Sequence, residues 1–228
     1  MRLTERHVAL MRRDVPDPGP IPGYTPSTEE DFERFVAAIL REHAPDDAFW
    51  IFAYGSLIWK PACDFVELRT GILRGWHRSF CLGWDRRFRG NPEQPGLMLA
   101  LDRGGQCRGV VYRLPPGALK PNMDKLIRRE MSMVPTAFPP RWINAVTADG
   151  PVRALTFAMN RNSGRYINGL SADALADILA TACGFRGSMA EYLFSTVAHL
   201  EELGIHDRHL WQMQELVAQR IEESHGIS

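Results

Sequence analysis

The sequence predicts an α+β fold, in which a block of strands in the middle of the chain is combined with helices placed mainly at its ends. Strand-like segments concentrate from Phe49 to about Leu114, and a further pair follows at 142–159. Apolar residues at helical spacing occur before, between and after these blocks. Clustered strands favour α+β over alternating βαβ units. Periodicity alone does not predict whether the sheet is curved or barrel-like.

The helices are predicted from apolar spacing and from residues that cap helix ends. The first spans 28–43, where Ser27 and Glu30 can form a capping box: the hydroxyl satisfies an early backbone N–H while the carboxylate reaches back. The second runs from Pro121 to about Met133. Three more helices close the chain at 171–182, 188–203 and 207–224, and glycines 184, 204 and 226 are expected to form left-handed C-terminal caps.

The strands are predicted from short apolar or alternating runs bounded by turn residues. The almost wholly apolar run 49–54 is a buried strand that ends at Gly55-Ser56. Further strands are predicted at 68–83, 97–101, 107–114 and in a hairpin at 142–159 that turns at 149–150. The sequence Asp-Arg-Gly-Gly at 102–105 is predicted as another hairpin turn.

Two parts of unequal size are predicted along the chain. Residues 14–26 hold five prolines and two glycines, which is typical of a linker or an arm lying on the surface. We therefore expect 1–44 to form an N-terminal arm with a Pro-rich linker and one amphipathic helix. Residues 45–228 are expected to form the domain that carries the chemistry.

Composition excludes several classes of protein. Lys plus Arg and Asp plus Glu both number 27, so the chain lacks the basic excess of a nucleic-acid-binding protein. The most basic stretch, 85–89, is predicted to be a solvated turn between strands. No apolar run approaches the ~20 residues of a membrane span, and 1–13 lack the apolar stretch of a signal peptide. The four cysteines form no CxxC pair, which predicts reduced thiols in a cytoplasmic protein.

Glu130 is the strongest candidate for a functional carboxylate. It follows Met123 by seven residues, Leu126 by four and Ile127 by three, which places it on the apolar stripe of its helix. Its neighbours 128 and 129 point toward solvent on this pattern. A buried carboxylate acquires a raised pKa suited to acid–base catalysis, but an ion pair at the helix end explains the same spacing.

A second candidate is the segment Tyr54, Gly55, Ser56 and Leu57, directly after the buried strand. Successive backbone N–H groups at such an exit can converge on a carboxylate, while the phenol and the hydroxyl add polar groups. An ordinary strand-ending turn has the same pattern.

Tyr192 is a third candidate, because it lies within the apolar stripe of the helix 188–203. A buried tyrosine usually finds a hydrogen-bond partner and could line a pocket, although core packing explains its position equally. The seven histidines show no metal-binding spacing, and phosphate loops and serine-hydrolase elbows are absent from the sequence. We therefore predict no metal and no cofactor.

Six separated motifs follow one another along the chain: WIFAYGSLIWKPACDF at 50–65, LRGWHRSFCL at 73–82, QPGLMLAL at 94–101, GVVYRLP at 109–115, RREM at 128–131 and EYLF at 191–194. In order and spacing these motifs resemble the ChaC family of γ-glutamylcyclotransferases. The resemblance covers roughly 45–215, and its Arg-Glu-Met form is similar to the bacterial branch.

The resemblance implies a γ-glutamylcyclotransferase-like fold, a small mixed β-barrel with surrounding helices. It implies that Tyr54–Leu57 cradle the γ-glutamyl group and that Glu130 is the catalytic carboxylate, with Tyr192 expected to line the same pocket. The implied reaction converts glutathione to 5-oxoproline and Cys-Gly without a cofactor. Two departures, the lack of tyrosine in 132–138 and the apolar Met189, leave the substrate open. The alternatives are a cyclotransferase for other γ-glutamyl amines and a non-catalytic regulator of cation transport; the oligomeric state is not predicted.

Overall fold

The computed structural model describes residues 1–227, which contain seven α-helices and nine strands. The helices are α1 (Glu5–Leu10), α2 (Glu29–Arg41), α3 (Ser56–Trp59), α4 (Leu119–Glu130), α5 (Ala172–Thr181), α6 (Met189–Glu202) and α7 (Arg208–His225). The strands are β1 (Thr25–Pro26), β2 (Trp50–Ala53), β3 (Glu67–Asp85), β4 (Gly96–Arg113), β5 (Met133–Val134), β6 (Pro140–Thr147), β7 (Gly150–Phe157), β8 (Cys183–Gly184) and β9 (Gly187–Ser188).

Five of the strands close into a barrel in the order β2-β4-β3-β6-β7. Strand β2 is antiparallel to β4 and parallel to β7, so the sheet is mixed. The predicted α+β class with a small mixed barrel is thereby confirmed. The hairpin of β6 and β7, with Thr147 opposite Gly150, also forms as predicted.

The interior of the barrel is filled by side chains from inward-facing positions of its strands. Alanines at 145, 154 and 158 leave room for the large rings of Trp50 and Phe52. Tyr54, the first residue after β2, belongs to the same buried cluster. The cluster therefore ties the predicted binding segment to the rigid core of the barrel.

The residues group into two compact units. One comprises 1–21, 80–99 and 162–228, and the other comprises 22–79 and 100–161. Strands β3 and β4 contribute residues to both. The division after residue 44 that the sequence suggested stays a prediction.

Helix α2 begins one residue later than the sequence predicted. Thr28, not Ser27, is its N-cap, and the Thr28 hydroxyl accepts a hydrogen bond from the Asp31 N–H. Asp31, not Glu30, completes the capping box by accepting from the Thr28 N–H. The predicted pair is wrong because Ser27 is used elsewhere: its hydroxyl donates to the carbonyl oxygen of Met131 at 2.7 Å.

Two of the three predicted glycine caps are observed. Gly204 and Gly226 follow their helices with φ of 67° and 61°, in the left-handed region. Gly184 does not cap α5, because the chain leaves that helix in an extended conformation at Ala182. A Cβ at Gly184 would come within 2.5 Å of the Arg87 carbonyl oxygen, so this glycine serves a close backbone approach.

The predicted hairpin turn at 102–105 is wrong, since β4 runs without interruption from Gly96 to Arg113. Gly104 and Gly105 have φ of 104° and 66° within the strand. A glycine pair with positive φ can bend a long strand as readily as it can reverse one, and the two cases share a sequence signature.

The chain turns between β3 and β4 at the basic stretch 85–89, as predicted. The buried carboxylate of Asp85 organises this turn by accepting hydrogen bonds from the N–H groups of Arg87, Phe88 and Arg89. Within residues 1–227, no helix combines the length and the apolar character that crossing a membrane requires.

Candidate active site

Glu130 is the last residue of α4 and lies on its buried face. Met123, Leu126 and Ile127, which share that face, are completely inaccessible to solvent. The side chain of Glu130 is 15% exposed. The predicted position of the carboxylate on the inward stripe is therefore confirmed, while its role stays a prediction.

Burial raises the pKa of Glu130 above the usual value of a glutamate carboxyl. The nearby guanidinium of Arg129 acts in the opposite direction, with its Nε 3.1 Å from Glu130 Oε1, but desolvation is the larger effect. The helix end adds to it, because free carbonyl groups at a C-terminus disfavour a negative charge. The pKa of Glu130 is thus shifted in the direction that favours a role as general acid or base.

The helical pattern predicts that Arg129 points into solvent, but the structure shows that it does not. Besides contacting Glu130, it donates hydrogen bonds to the Ser56 hydroxyl at 2.9 Å and to the Lys60 carbonyl oxygen. Arg128 does lie on the outer side, where it pairs with Glu29 and with Asp124 of its own helix.

The contacts of Arg129 connect the two strongest candidates from the sequence. Its guanidinium joins Glu130 to the segment Tyr54–Leu57, which the sequence predicted as a binding loop. The ion pair that the sequence left open as an alternative is present, and the loop contact goes beyond it. The spacing of residues along α4 could predict only the ion pair within the helix. The contact of Arg129 with the loop becomes visible only in the tertiary structure.

The segment Tyr54–Leu57 is a tight exit from β2 into α3. Gly55 occupies the N-cap position with φ of −142°, so the exit does not use the left-handed region. Helix α3 begins at Ser56, and the first N–H groups of a helix have no acceptors within that helix. Tyr54 and Leu57 are buried, whereas Ser56 is partly accessible.

Buried side chains of the barrel fix the carbonyl groups of this exit. Arg78 donates from Nε to the Tyr54 carbonyl oxygen at 2.5 Å. The Tyr112 hydroxyl lies 3.3 Å from the carbonyl oxygen of Leu57 and 3.2 Å from that of Ile58. Burial raises the pKa of Tyr112 to about 12, which keeps this donor protonated. Sequence reasoning missed both residues, since an arginine or a tyrosine in a strand gives no signal of such a role.

The chain that follows Glu130 is held by the end of the N-terminal arm. Ser27 bonds to the Met131 carbonyl oxygen through its hydroxyl, and its N–H donates to the Ser132 carbonyl oxygen at 3.0 Å. Strand β1 then pairs with β5, with Thr25 opposite Val134. These contacts position the C-terminal end of α4 and thus the Glu130 side chain.

Tyr192 belongs to the other compact unit, where it is buried in α6. Its ring centroid lies 6.4 Å from that of Phe80, and the guanidinium of Arg89 lies 5.7 Å from its ring. Arg89 also pairs with Glu191. These contacts fit core packing, and the participation of Tyr192 in substrate binding stays a prediction.

Other reactive groups offer little competing chemistry. Cys63 is buried, and burial raises the pKa of its thiol to about 11, so the nucleophilic thiolate is scarce near neutral pH. Among residues 1–227, no three side chains of the His, Cys, Asp and Glu types come together as a metal-binding group.

The chain is similar to known proteins of one family. The model of the family described as ChaC-like protein matches residues 49–220. The chain is 41% identical over 173 residues to the glutathione-specific γ-glutamylcyclotransferase of Escherichia coli strain K12, covering 75% of this chain and 74% of the relative. It is 30% identical over 172 residues to the mouse glutathione-specific γ-glutamylcyclotransferase 1, covering 72% and 75%.

The fold is also found in a solved structure. A crystal structure of a yeast γ-glutamylcyclotransferase specific to glutathione superimposes with a TM-score of 0.68 at 19% identity. The match covers 76% of this chain and 97% of the yeast chain, which confirms the γ-glutamylcyclotransferase-like fold. Together, the family match over residues 49–220 and the bacterial relative at 41% identity show that this chain belongs to the ChaC family.

Proposed function

We propose that the protein is a glutathione-specific γ-glutamylcyclotransferase, which converts glutathione to 5-oxoproline and Cys-Gly. The names of the bacterial and mouse relatives support the reaction and its substrate. We further propose that it acts in the cytoplasm on this small molecule, with no cofactor and no nucleic-acid partner.

One observation carries the proposal. Glu130 is a carboxylate on a buried helix face, its pKa is raised by burial, and Arg129 links it to the exit Tyr54–Leu57. Desolvation of this carboxylate outweighs its ion pair with Arg129, so the position costs stability. Its retention there supports a role in proton transfer.

The reaction requires little beyond positioning and proton transfer. The free α-amine of the γ-glutamyl residue attacks its own γ-carbonyl carbon, so a C–N bond forms within a five-membered lactam. The C–N bond to cysteine then breaks. Both reacting groups belong to one molecule, and intramolecular reactions of good geometry reach effective molarities of ~10⁵ M or more.

Glu130 serves as the general acid and base in this proposal. Its carboxylate accepts a proton from the α-ammonium group, which frees the nitrogen lone pair for attack. The resulting carboxylic acid then donates a proton to the departing amine of Cys-Gly. A carboxyl group with a raised pKa exchanges its proton readily in both directions.

The segment Tyr54–Leu57 binds the γ-glutamyl end. Its backbone N–H groups at the start of α3 hold the α-carboxylate or the oxyanion that develops on the γ-carbonyl oxygen. The hydroxyl of Ser56 and the phenol of Tyr54 complete this part of the pocket.

The decisive assay follows the products of glutathione by mass spectrometry in water enriched in oxygen-18. Cyclisation gives equal amounts of 5-oxoproline and Cys-Gly, with no oxygen-18 in the 5-oxoproline. Glutathione acetylated on its α-amine should not react, because an amide nitrogen is a poor nucleophile. Glutamate as the first product, cleavage of the acetylated compound, or faster turnover of γ-glutamyl-alanine than of glutathione would each contradict the proposal.

A further inference from the structure

Two arginines lie close to the ring of Trp76 in the unit formed by 22–79 and 100–161. The guanidinium carbon of Arg103 is 5.3 Å from the ring centroid, and that of Arg141 is 6.0 Å from it. Trp76 is only partly buried and packs against the buried cluster that includes Tyr54. Trp76, Arg103 and Arg141 are here called the barrel-mouth group, because Arg141 is the second residue of β6 and so lies at one end of a barrel strand.

Strand alternation directs Arg141 toward the barrel axis. Side chains two residues apart share one face of a strand. In β6, Arg141 shares the face of Ile143 and of the fully buried Ala145. In β4, Arg103 is exposed and joins the group through its contact with the Trp76 ring, just before the strand bends at its glycine pair.

Asp102, the residue before Arg103, is engaged by another arginine. Asp102 Oδ1 already accepts hydrogen bonds from Arg161 Nε at 2.7 Å and from the Arg103 N–H at 2.8 Å. Arg141 Nε is buried and has no hydrogen-bond partner within the described residues. A buried guanidinium N–H without an acceptor is costly, which points to an acceptor supplied from outside the chain.

Two other tryptophan–arginine pairs of this unit are satisfied internally. Arg153, stacked 4.1 Å from the ring of Trp142, donates to the Glu42 carbonyl oxygen at 3.0 Å. Arg69, 4.8 Å from the ring of Trp50, pairs with two carboxylates, those of residues 67 and 149. The barrel-mouth group differs from these structural pairs because its guanidinium N–H at Arg141 awaits an acceptor.

We infer that the barrel-mouth group binds the C-terminal carboxylate of the substrate, with Arg141 and Arg103 as donors and the Trp76 ring packed against the Cys-Gly peptide. The inference rests on the proposed function, in which Tyr54–Leu57 bind the opposite, γ-glutamyl end. A guanidinium is the side chain best suited to a carboxylate, since it can donate two parallel hydrogen bonds.

The strand register gives a spacing that fits a tripeptide. Trp50 and Ile143 both lie opposite Ala154, so Tyr54 and Arg141 are on strands two positions apart. Two strand spacings give ~10 Å, and the offset of two residues along the strands adds ~7 Å at right angles, which places the two Cα atoms ~12 Å apart. An extended tripeptide spans ~10 Å. A dipeptide such as γ-glutamyl-cysteine would not reach both ends, so this contact selects glutathione.

The test compares glutathione with its C-terminal carboxamide, which retains the α-amine and the γ-glutamyl bond. Wild-type protein should convert both to 5-oxoproline, with KM for the carboxamide higher by ~10–100-fold and kcat within about threefold, as expected for a lost charge-assisted bond. Arg141→Gln should raise KM for glutathione by a similar factor and leave KM for the carboxamide nearly unchanged. Arg103→Gln, at an exposed position, should also raise KM for glutathione and not for the carboxamide, but by a smaller factor.

The matched control is Arg153→Gln, which removes a guanidinium from a tryptophan on the outer face and should not alter the preference between the two substrates. Equal KM of wild-type protein for both substrates would overturn the inference while leaving the cyclotransferase activity intact, even if Arg141→Gln did not fold. An equal rise in KM for glutathione and for its carboxamide in Arg103→Gln and Arg141→Gln would also overturn the inference. Absence of 5-oxoproline from both substrates with wild-type protein would instead overturn the proposed function.

Discussion

Arg129 and Glu130 are adjacent in the chain, and their side chains meet at the end of α4, with Arg129 Nε 3.1 Å from Glu130 Oε1. The same guanidinium reaches Ser56 in the exit from β2. Arg129 therefore lowers the pKa of a carboxyl group that burial raises, and it also connects that group to the segment Tyr54–Leu57.

Replacing Arg129 should change the pH dependence of the enzyme. In Arg129→Gln, the cation that opposes the effect of burial is lost, so the pKa of Glu130 should rise further. The acid limb of the kcat/KM profile should move to higher pH, and kcat/KM should fall because the exit from β2 loses a donor. The measurement is a pH–rate profile for 5-oxoproline formation.

Arg128→Gln is the control for this variant. It removes an arginine of the same helix that pairs with Glu29 and Asp124 on the outer side. Its acid limb should coincide with that of wild-type protein. An unchanged acid limb in Arg129→Gln would show that the guanidinium does not act on the carboxyl group that controls the acid limb.

The Glu130→Gln variant should become more stable relative to the wild-type protein as pH rises. Because the pKa of Glu130 is raised in the folded state, the folded protein binds more protons than the unfolded chain between the two pKa values. The contribution of this residue is thus fully present below the ordinary pKa of glutamate and is lost as pH rises through the folded value. A neutral amide avoids that loss, so the Tm difference between variant and wild type should grow from about pH 4.5 upwards.

The control for this prediction is Glu29, whose pKa is shifted in the opposite direction. Glu29 has a pKa lowered by its hydrogen bond to Arg128, so Glu29→Gln should gain no stability with rising pH. A Glu130→Gln variant that is less stable than wild type at pH 7 and above would indicate that the carboxylate holds the fold together by an ion pair.

Tyr112→Phe tests whether the position of the segment Tyr54–Leu57, and not only overall stability, affects kcat/KM. The variant loses the hydroxyl near the carbonyl oxygens of Leu57 and Ile58, at a cost of about 1 kcal/mol. Thr28→Ala removes the N-cap of α2 at a similar cost of about 1 kcal/mol. We expect kcat/KM to fall only in Tyr112→Phe; an equal fall in both variants, compared at equal loss of stability by denaturant unfolding, would argue against a positioning role.

Activity should survive exhaustive treatment with EDTA and need no added nucleotide. The reason is that the sequence has neither a compact set of metal ligands nor a phosphate-binding loop. The assay compares 5-oxoproline formation before and after chelation, with a zinc enzyme treated in parallel as the control. Loss of activity that one divalent ion restores would show that a metal site had been overlooked.

Local patterns in the sequence predicted most helices and the position of Glu130, because apolar spacing along one helix reports which face is buried. The long strands were predicted less well. The glycine pair at 104–105 was interpreted as a turn, since a bend within a strand and a hairpin use the same residues.

The contacts that assemble the site join residues far apart in the chain. Arg129 contacts Ser56 across 73 positions, and Ser27 contacts Met131 across 104. No periodicity in a single sequence encodes such pairs. The family motifs suggested roles for the segments, whereas the contacts of Arg78 and Tyr112 with the exit from β2 required the folded barrel.

The most direct test of the account is kcat of Glu130→Gln for glutathione, measured as 5-oxoproline formed by protein shown to be folded by circular dichroism. The amide keeps the shape of the side chain but cannot carry the proton, and general acid–base catalysis is typically worth ~10²–10⁴-fold. We predict a loss of kcat in that range. A folded variant that retains more than about a tenth of wild-type kcat would contradict the role of Glu130 in proton transfer.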